Sequence, residues 1–365
     1  MAKATENQFD KFARTPPRLS IVSDNPLKEE EVEVEQFNLR YRMGPIFDII
    51  RHDKTQTPMT IAIYGTWGTG KTTAMEWLDR LLVKWNEKAK QPHRKVRTVW
   101  FYPWKYHEKE DVWRGLVSEV ILKSIDVKEM TIERVKKAVK DFGIFLGRSF
   151  IDVVASTTIK AGEAVEVDLA VVKEILADFD RTAHPEKAFL NEFEDALKKW
   201  IADTIKERKE RMVIFIDDLD RCTPGVAFEV LEALKLYLNI KDLIFVIGLD
   251  REVIDKVVEN HYEKIGFKTE AEKTKCKKYL DKMFQVEVKV GPSRKQIEDY
   301  TDSILDGSQF LKDNLDQDEY KAVKAVVLSL GGRNPREIKR LVNSALMEGM
   351  GANLISEEVD DGEEG

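Results

Sequence analysis

Thr60-Ile61-Ala62-Ile63-Tyr64-Gly65-Thr66-Trp67-Gly68-Thr69-Gly70-Lys71-Thr72-Thr73-Ala74-Met75-Glu76-Trp77-Leu78 is the stretch that decides the fold. Its first five residues read as a strand. Gly65 to Thr72 follow the spacing G-x-x-x-x-G-K-[ST], and Thr73 to Leu78 open a helix. Strand, glycine loop and helix in that order make a phosphate site, a context that a chance glycine-rich turn with an exposed lysine does not share. Gly65, Gly68 and Gly70 let the backbone bend so that consecutive N–H groups point inward. The helix N-terminus adds its positive end. In such a loop Lys71 meets the β- and γ-phosphates, and the Thr72 hydroxyl ligates magnesium. The residues expected to hold nucleotide are therefore Gly65, Thr66, Trp67, Gly68, Thr69, Gly70, Lys71, Thr72 and Thr73.

A phosphate loop binds, but hydrolysis needs more. Far downstream, Met212-Val213-Ile214-Phe215-Ile216 is a continuous apolar run, as expected of a strand covered on both faces. It ends in Asp217-Asp218-Leu219-Asp220-Arg221. A carboxylate at the tip of such a strand supports magnesium beside the loop threonine. Asp217 has that position. Asp218, one residue on, is expected to orient or deprotonate the attacking water, with Asp220 as the alternative base.

Four stretches together resemble one family. Gly65 to Thr72, with a tryptophan inside the loop, is similar to the G-x-W-G-[ST]-G-K-[ST] of the KAP P-loop NTPases. Trp100-Phe101-Tyr102-Pro103-Trp104-Lys105-Tyr106 resembles their aromatic strand after the loop helix. Asp217 to Arg221 resembles their acidic Walker B, and Asn334-Pro335-Arg336-Glu337-Ile338-Lys339-Arg340 their C-terminal helix motif. The resemblance spans roughly residues 38 to 348. It implies kinship with AAA+ and STAND ATPases and a core sheet with the catalytic strand between the P-loop strand and its neighbours. Many members carry transmembrane helices between Walker A and Walker B; this chain departs from that. The resemblance also implies a sensor-1 role for Asp250, although the same carboxylate reads equally well as the cap of the helix starting at Arg251. It implies a sensor-2 role for Arg336 on a C-terminal helical lid, and bacterial relatives that act against phage.

Composition agrees with a soluble enzyme. The 365 residues suit one large α/β domain plus a smaller helical one. Hydrophobic residues make up 42%, enough for a sizeable core and far from membrane-like. The most apolar stretch inside the insertion, residues 143 to 155, is interrupted by Arg148 and Asp152 and is too short to cross a bilayer. The N-terminus lacks the apolar region of a signal peptide, so the cytoplasm is the expected compartment. Two cysteines, Cys222 and Cys276, exclude a disulfide framework and a cysteine metal cluster. A net charge of -7 supplies no global field for nucleic acid.

The expected fold is an α/β P-loop NTPase with a mostly parallel sheet flanked by helices. Residues 1–36 read as a mobile arm, 37–290 as the core, 291–350 as the helical lid and 351–365 as an acidic tail. A largely helical insertion is expected at about 107–205, with a break near His184-Pro185. Phe37 to Ile50 read as an apolar-faced element that covers the adenine. Trp104 and Trp113 read as core residues. The run holding Lys264, Lys268, Lys273, Lys275, Lys277, Lys278 and Lys282 is interleaved with acids and reads as a solvated helix.

The expected ligands are ATP and Mg2+; no Asn-Lys-x-Asp guanine motif occurs. The expected function is a nucleotide-driven switch or motor in an assembly. A nucleotide-gated scaffold with little turnover and a nucleic-acid-stimulated ATPase are the alternatives. A homo-oligomer is expected, with an arginine crossing between subunits and an unknown protein partner. Arg251 is the expected finger. Arg294 and Arg333 also lie between the two sensor positions, and Arg221 is a finger candidate within the same subunit.

Overall fold

The apolar runs of the sequence become a five-stranded sheet in which every pairing is parallel, in the order β2-β3-β4-β1-β5. The computed structural model describes residues 37–88, 94–106, 109–124, 198–199, 210–237, 240–264, 266 and 279–348. They form two units. Among these residues the larger unit takes those within Leu39–Thr66 and Lys71–Val290; the smaller gathers Phe37, Asn38 and the loop segment Trp67–Gly70 with those from Gly291 onward.

In the larger unit the order is α1 (Leu39–Arg51), β1 (Met59–Tyr64), α2 (Lys71–Lys88), β2 (Lys95–Phe101), α3 (Lys109–Ser124), β3 (Glu210–Ile216), α4 (Pro224–Tyr237), β4 (Leu243–Leu249), α5 (Arg251–Lys264) and β5 (Val286–Lys289). All seven residues of β4 are buried, as are the last six of β3, because helices cover both faces. One face presents Ala62, Val99, Phe101, Met212, Ile214, Phe245 and Ile247 to α3, α4 and α5. Residues of opposite parity face the other way, where α2 packs on β1, β2 and β4 and α1 packs on α2. α1 buries Leu39, Met43, Ile46 and Ile50, a 3.6-residue stripe. Buried Arg211 at the start of β3 donates to the Ile50 carbonyl and, at 3.1 Å, to that of His52, satisfying groups at the end of α1.

Parallel strands place all carboxyl ends on one edge. β4 lies between the P-loop strand β1 and the Walker B strand β3, so β3 does not adjoin β1. The strand that intervenes is the one ending at Asp250. β2 runs from Lys95 to Phe101, so it begins upstream of the aromatic stretch at Trp100. Its outer edge at Val96 is completed by the Asn86 side chain, which accepts from Val96 N at 2.9 Å and donates to Val96 O at 2.6 Å.

The expectation that Trp104 belongs to the core is overturned: it is 46% exposed. Pro103 starts a single 3-10 turn at the end of β2, the chain leaves the sheet there, and Trp104 turns outward with Lys105 6.0 Å from its ring. The arm, most of the 107–205 insertion, the tail and Lys268 through Lys278 lie outside the described residues, as does the Trp113 side chain.

The smaller unit contains α6 (Arg294–Asp306), α7 (Gln309–Asn314), α8 (Gln317–Gly331) and α9 (residues 335–348). Ser293 and Asp316 start α6 and α8 as reciprocal capping boxes with Gln296 and Glu319. Tyr300, Ile304, Leu305, Val327, Ile338 and Val342 form its core.

Candidate nucleotide site

The larger unit brings together Lys71, Thr72, Asp217, Asp218 and Asp220. Lys71 begins α2 and is 6% exposed. Its ammonium donates to the Gly65 carbonyl at 3.1 Å and the Thr66 carbonyl at 3.5 Å, and pairs with Asp220 Oδ2 at 3.5 Å. Thr73 follows in the first turn of α2, half-buried.

Asp217 is 1% exposed at the tip of β3. One carboxylate oxygen accepts from Asp218 N at 2.9 Å, and the side chain is hydrogen-bonded with Thr72. The other oxygen, Oδ2, is buried without a hydrogen-bond partner. Burial, then the neighbouring charge of Asp218, push its pKa up to about 6, against the lowering effects of Thr72, the Asp218 backbone and Lys71. A buried carboxylate oxygen without a donor is costly unless a cation meets it. The donor set, a threonine hydroxyl and a carboxylate, is all oxygen and suits a hard divalent ion. Among the described residues no group of three or more His, Cys, Asp or Glu makes a metal site by itself. Magnesium keeps few protein ligands and takes the rest from phosphate and water. The residues present therefore fit Mg2+.

Asp218 stands in the left-handed region at φ 59, ψ 34, a conformation aspartate tolerates better than most side chains. Its Oδ1 pairs with Arg221 Nε at 3.0 Å. Of the two candidate bases, Asp218 is tied to a half-exposed arginine, while Asp220 is tied to Lys71 and has its Oδ1 buried without a partner. Cys222 sits beside these acids. Burial, then Asp218 and Asp220, push its thiol up to about 12, which makes it a poor nucleophile.

Two residues in this unit escaped the sequence reading. A Cβ on Gly248 would stand 2.7 Å from Asp217 Oδ1 and 2.7 Å from Met75 Sδ, so β4 needs glycine beside the acidic tip. The signal was there: a lone glycine inside Leu243–Leu249 marks a close approach. Tyr102 follows β2, next to the end of β3, where Asp217 N donates to the Phe101 carbonyl at 3.2 Å. Burial, then Asp217, Glu76, Asp218 and Asp79, push its phenol up to about 12, so it stays a neutral donor among carboxylates.

Asp250 accepts from Glu252 N through Oδ1 at 3.1 Å and caps α5. Arg251 is not free to swing: Asp255 at 3.2 Å, Asp281 at 2.6 Å and Glu287 at 2.8 Å surround its guanidinium.

In the smaller unit, Gly68 and Gly70 have φ of +83 and +94, where glycine is favoured. Trp67 is 57% exposed, and the Arg336 guanidinium carbon lies 4.8 Å from its ring centroid. Arg336, the expected sensor 2, thus lies against a residue of the phosphate loop. Asn334, which the sequence reading left without a role, donates from Nδ2 to the Trp67 carbonyl at 2.7 Å.

An uncharacterised protein of Methanocaldococcus jannaschii is 27% identical over 163 residues, 38% of this chain and 83% of the relative. Among solved structures, Aeropyrum pernix Orc1 in complex with DNA is similar at TM-score 0.40 and 14% identity, over 90% of this chain and 62% of that one. Drosophila ORC bound to DNA is similar at TM-score 0.42 and 13% identity, over 96% and 70%. The chain thus spans less than two thirds of the Aeropyrum structure it matches. The model of the KAP family P-loop domain matches residues 44–347, from inside α1 to the last turn of α9. The glycine loop at the head of α2 and the acids at the tip of β3 both fall inside that span, and the chain belongs to the KAP family of P-loop NTPases.

Proposed function

We propose that this protein is a magnesium-dependent ATPase that works as a nucleotide-driven switch or motor within an assembly. The observation that carries the reading is the Asp217 carboxylate, buried, bonded with Thr72, and left with one oxygen unbonded. Thr72 and Asp217 would hold Mg2+, which supplies charge neutralisation for the β- and γ-phosphates. Lys71 exchanges the Gly65 and Thr66 carbonyls for phosphate oxygens. Asp218 takes the proton of the attacking water as its oxygen bonds the γ-phosphorus and the bond to the β–γ bridging oxygen breaks. Asp250 adds a polar contact from the neighbouring strand.

Full turnover is expected to need self-association, since spreading charge on the transferring phosphoryl group is best met by an arginine. Arg251 keeps the candidacy its position gives it, but must first leave three carboxylates. Arg221 and Arg336 are the candidates acting in cis. A role in bacterial anti-phage defence rests on family resemblance.

Calorimetry with ATP, with and without Mg2+, and a phosphate-release assay test the core of the reading. Magnesium-dependent binding with release of phosphate is expected; no binding at millimolar ATP would sink it. Mixing inactive Arg251→Ala and Asp218→Asn subunits tests the shared site. Recovered turnover supports it, whereas a protein that remains monomeric with ATP and still turns over removes it.

A further inference from the structure

We propose that Asn334 is a positioning residue for the phosphate loop, one that fixes the Trp67–Gly68 peptide so that the Gly68 N–H faces phosphate. This rests on the ATP-binding reading above. The side-chain amide of Asn334 is used at both ends. Oδ1 accepts from Arg336 N at 3.1 Å and from Glu337 N at 3.4 Å, capping α9. Nδ2 donates to the Trp67 carbonyl at 2.7 Å. The partners leave no choice of orientation: two N–H donors face one end and a carbonyl faces the other. Pro335, at the first helical position, has no N–H to satisfy, so both donors that Oδ1 meets are the next in line.

In a trans peptide the carbonyl and the following N–H point in opposite directions. Anchoring the Trp67 carbonyl on Asn334 therefore turns the Gly68 N–H away from α9, toward the concave side of the loop. There, inward-pointing amides bind phosphate. Two further contacts fasten the same peptide. Arg336 lies over the Trp67 ring at 4.8 Å. Gly68 approaches so closely that a Cβ would overlap Asn334 Oδ1 and stand 2.8 Å from Arg336 Cβ. The glycine is thus required for contact with α9 as well as for its φ of +83. The start of α9 sets one amide of the anion nest, and phosphate binding in turn favours that helix start.

The sequence supplies an unusually clean probe. Among seven tryptophans and 19 glycines, Trp67-Gly68 is the single Trp-Gly pair. Carbonyl-13C tryptophan with 15N glycine therefore yields one carbonyl-to-amide correlation, that of Gly68. Asn334→Ser keeps a good helix cap but is too short to reach Trp67; Asn334→Asp keeps the cap and replaces the donor by an acceptor. Both variants are expected to retain the parent's thermal midpoint to within a few degrees and to move the Gly68 signal in the nucleotide-free protein. Asn334→Ser should also bind ATP about tenfold more weakly, the scale of one lost hydrogen bond, with a smaller nucleotide-induced shift at Gly68. A Gly68 signal unmoved in both variants, with ATP affinity within twofold of the parent, overturns the proposal. If the parent itself binds no nucleotide, the ATPase reading fails, while the Gly68 signal in the free protein still reports whether Asn334 sets that peptide.

Discussion

Strands β3 and β4 run side by side, each buried throughout its apolar run and each followed at once by aspartate. Their ends are used differently. At the end of β3, Asp217 is buried and keeps one oxygen unbonded, and the left-handed turn at Asp218 follows. At the end of β4, Asp250 caps α5 and the next residue, Arg251, is enclosed by three carboxylates. The first end has an unmet electrostatic demand; at the second, the aspartate and the arginine each find partners within the chain. A strand ending in aspartate is thus a weak sign of chemistry by itself. What separates the two is whether the protein satisfies its own carboxylate.

The largest effect is expected from removing the cation that the β3 end faces. Lys71→Ala should abolish measurable ATP binding in calorimetry, because the charge meeting the β- and γ-phosphates is lost; unchanged affinity would remove the loop from the site. Next, Asp218→Asn should leave binding largely intact and slow phosphate release by about 10²-fold or more, the range of a general base. The matching change at the other strand, Asp250→Asn, should cost little turnover if Asp250 only caps, since asparagine caps as well. A loss from Asp250→Asn as deep as that from Asp218→Asn would erase the contrast between the two ends.

A pH experiment sharpens it. Asp217 titrates near 6 in the folded protein, above its ordinary value, because burial disfavours its charge. Between about pH 4 and pH 6 the folded state therefore holds a proton that the unfolded chain has lost, and stability falls as pH rises through that window. Above it, the ionised carboxylate costs the metal-free protein about 2–3 kcal/mol. Asp217→Asn should thus raise the metal-free melting midpoint at neutral pH, leave it unchanged near pH 4, and weaken magnesium-dependent ATP binding. In the parent, that magnesium dependence should fade as pH drops below about 6, because a protonated carboxyl gives up its metal. A flat stability difference across this range would show that Asp217 is not strained by burial.

The smallest effect is expected at Arg251. Its side chain is 23% exposed and its pairs are partly screened, so Arg251→Ala should cost about 1 kcal/mol in thermal unfolding. A large loss of turnover at that small cost would support Arg251 as the finger.

Much of this was legible in advance. β1, the glycine loop and α2 could be read because the special backbone and the ligand residues are contiguous in the chain. β3 and β4 could be read because strands covered on both faces are apolar without interruption. Trp104 was misread because the sequence does not say which side of a turn faces solvent; the 3-10 turn after Pro103 decides that. Arg251 looked like a finger by its place between two motifs, and nothing local foretold that Asp281 and Glu287, 30 and 36 residues away, would enclose it.

By itself, then, the sequence determined the phosphate-loop motif and the parallel α/β class, because these depend on local spacing and periodicity, and its four motifs carried the resemblance to the KAP family. Tertiary structure alone decided the strand order that puts β4 between the loop and Walker B strands, the unbonded oxygen of Asp217, and the grip of Asn334 on Trp67. Each of these arises where segments distant in the chain converge. Burial and hydrogen-bond satisfaction are properties of that convergence, and no stretch of the sequence carries them alone.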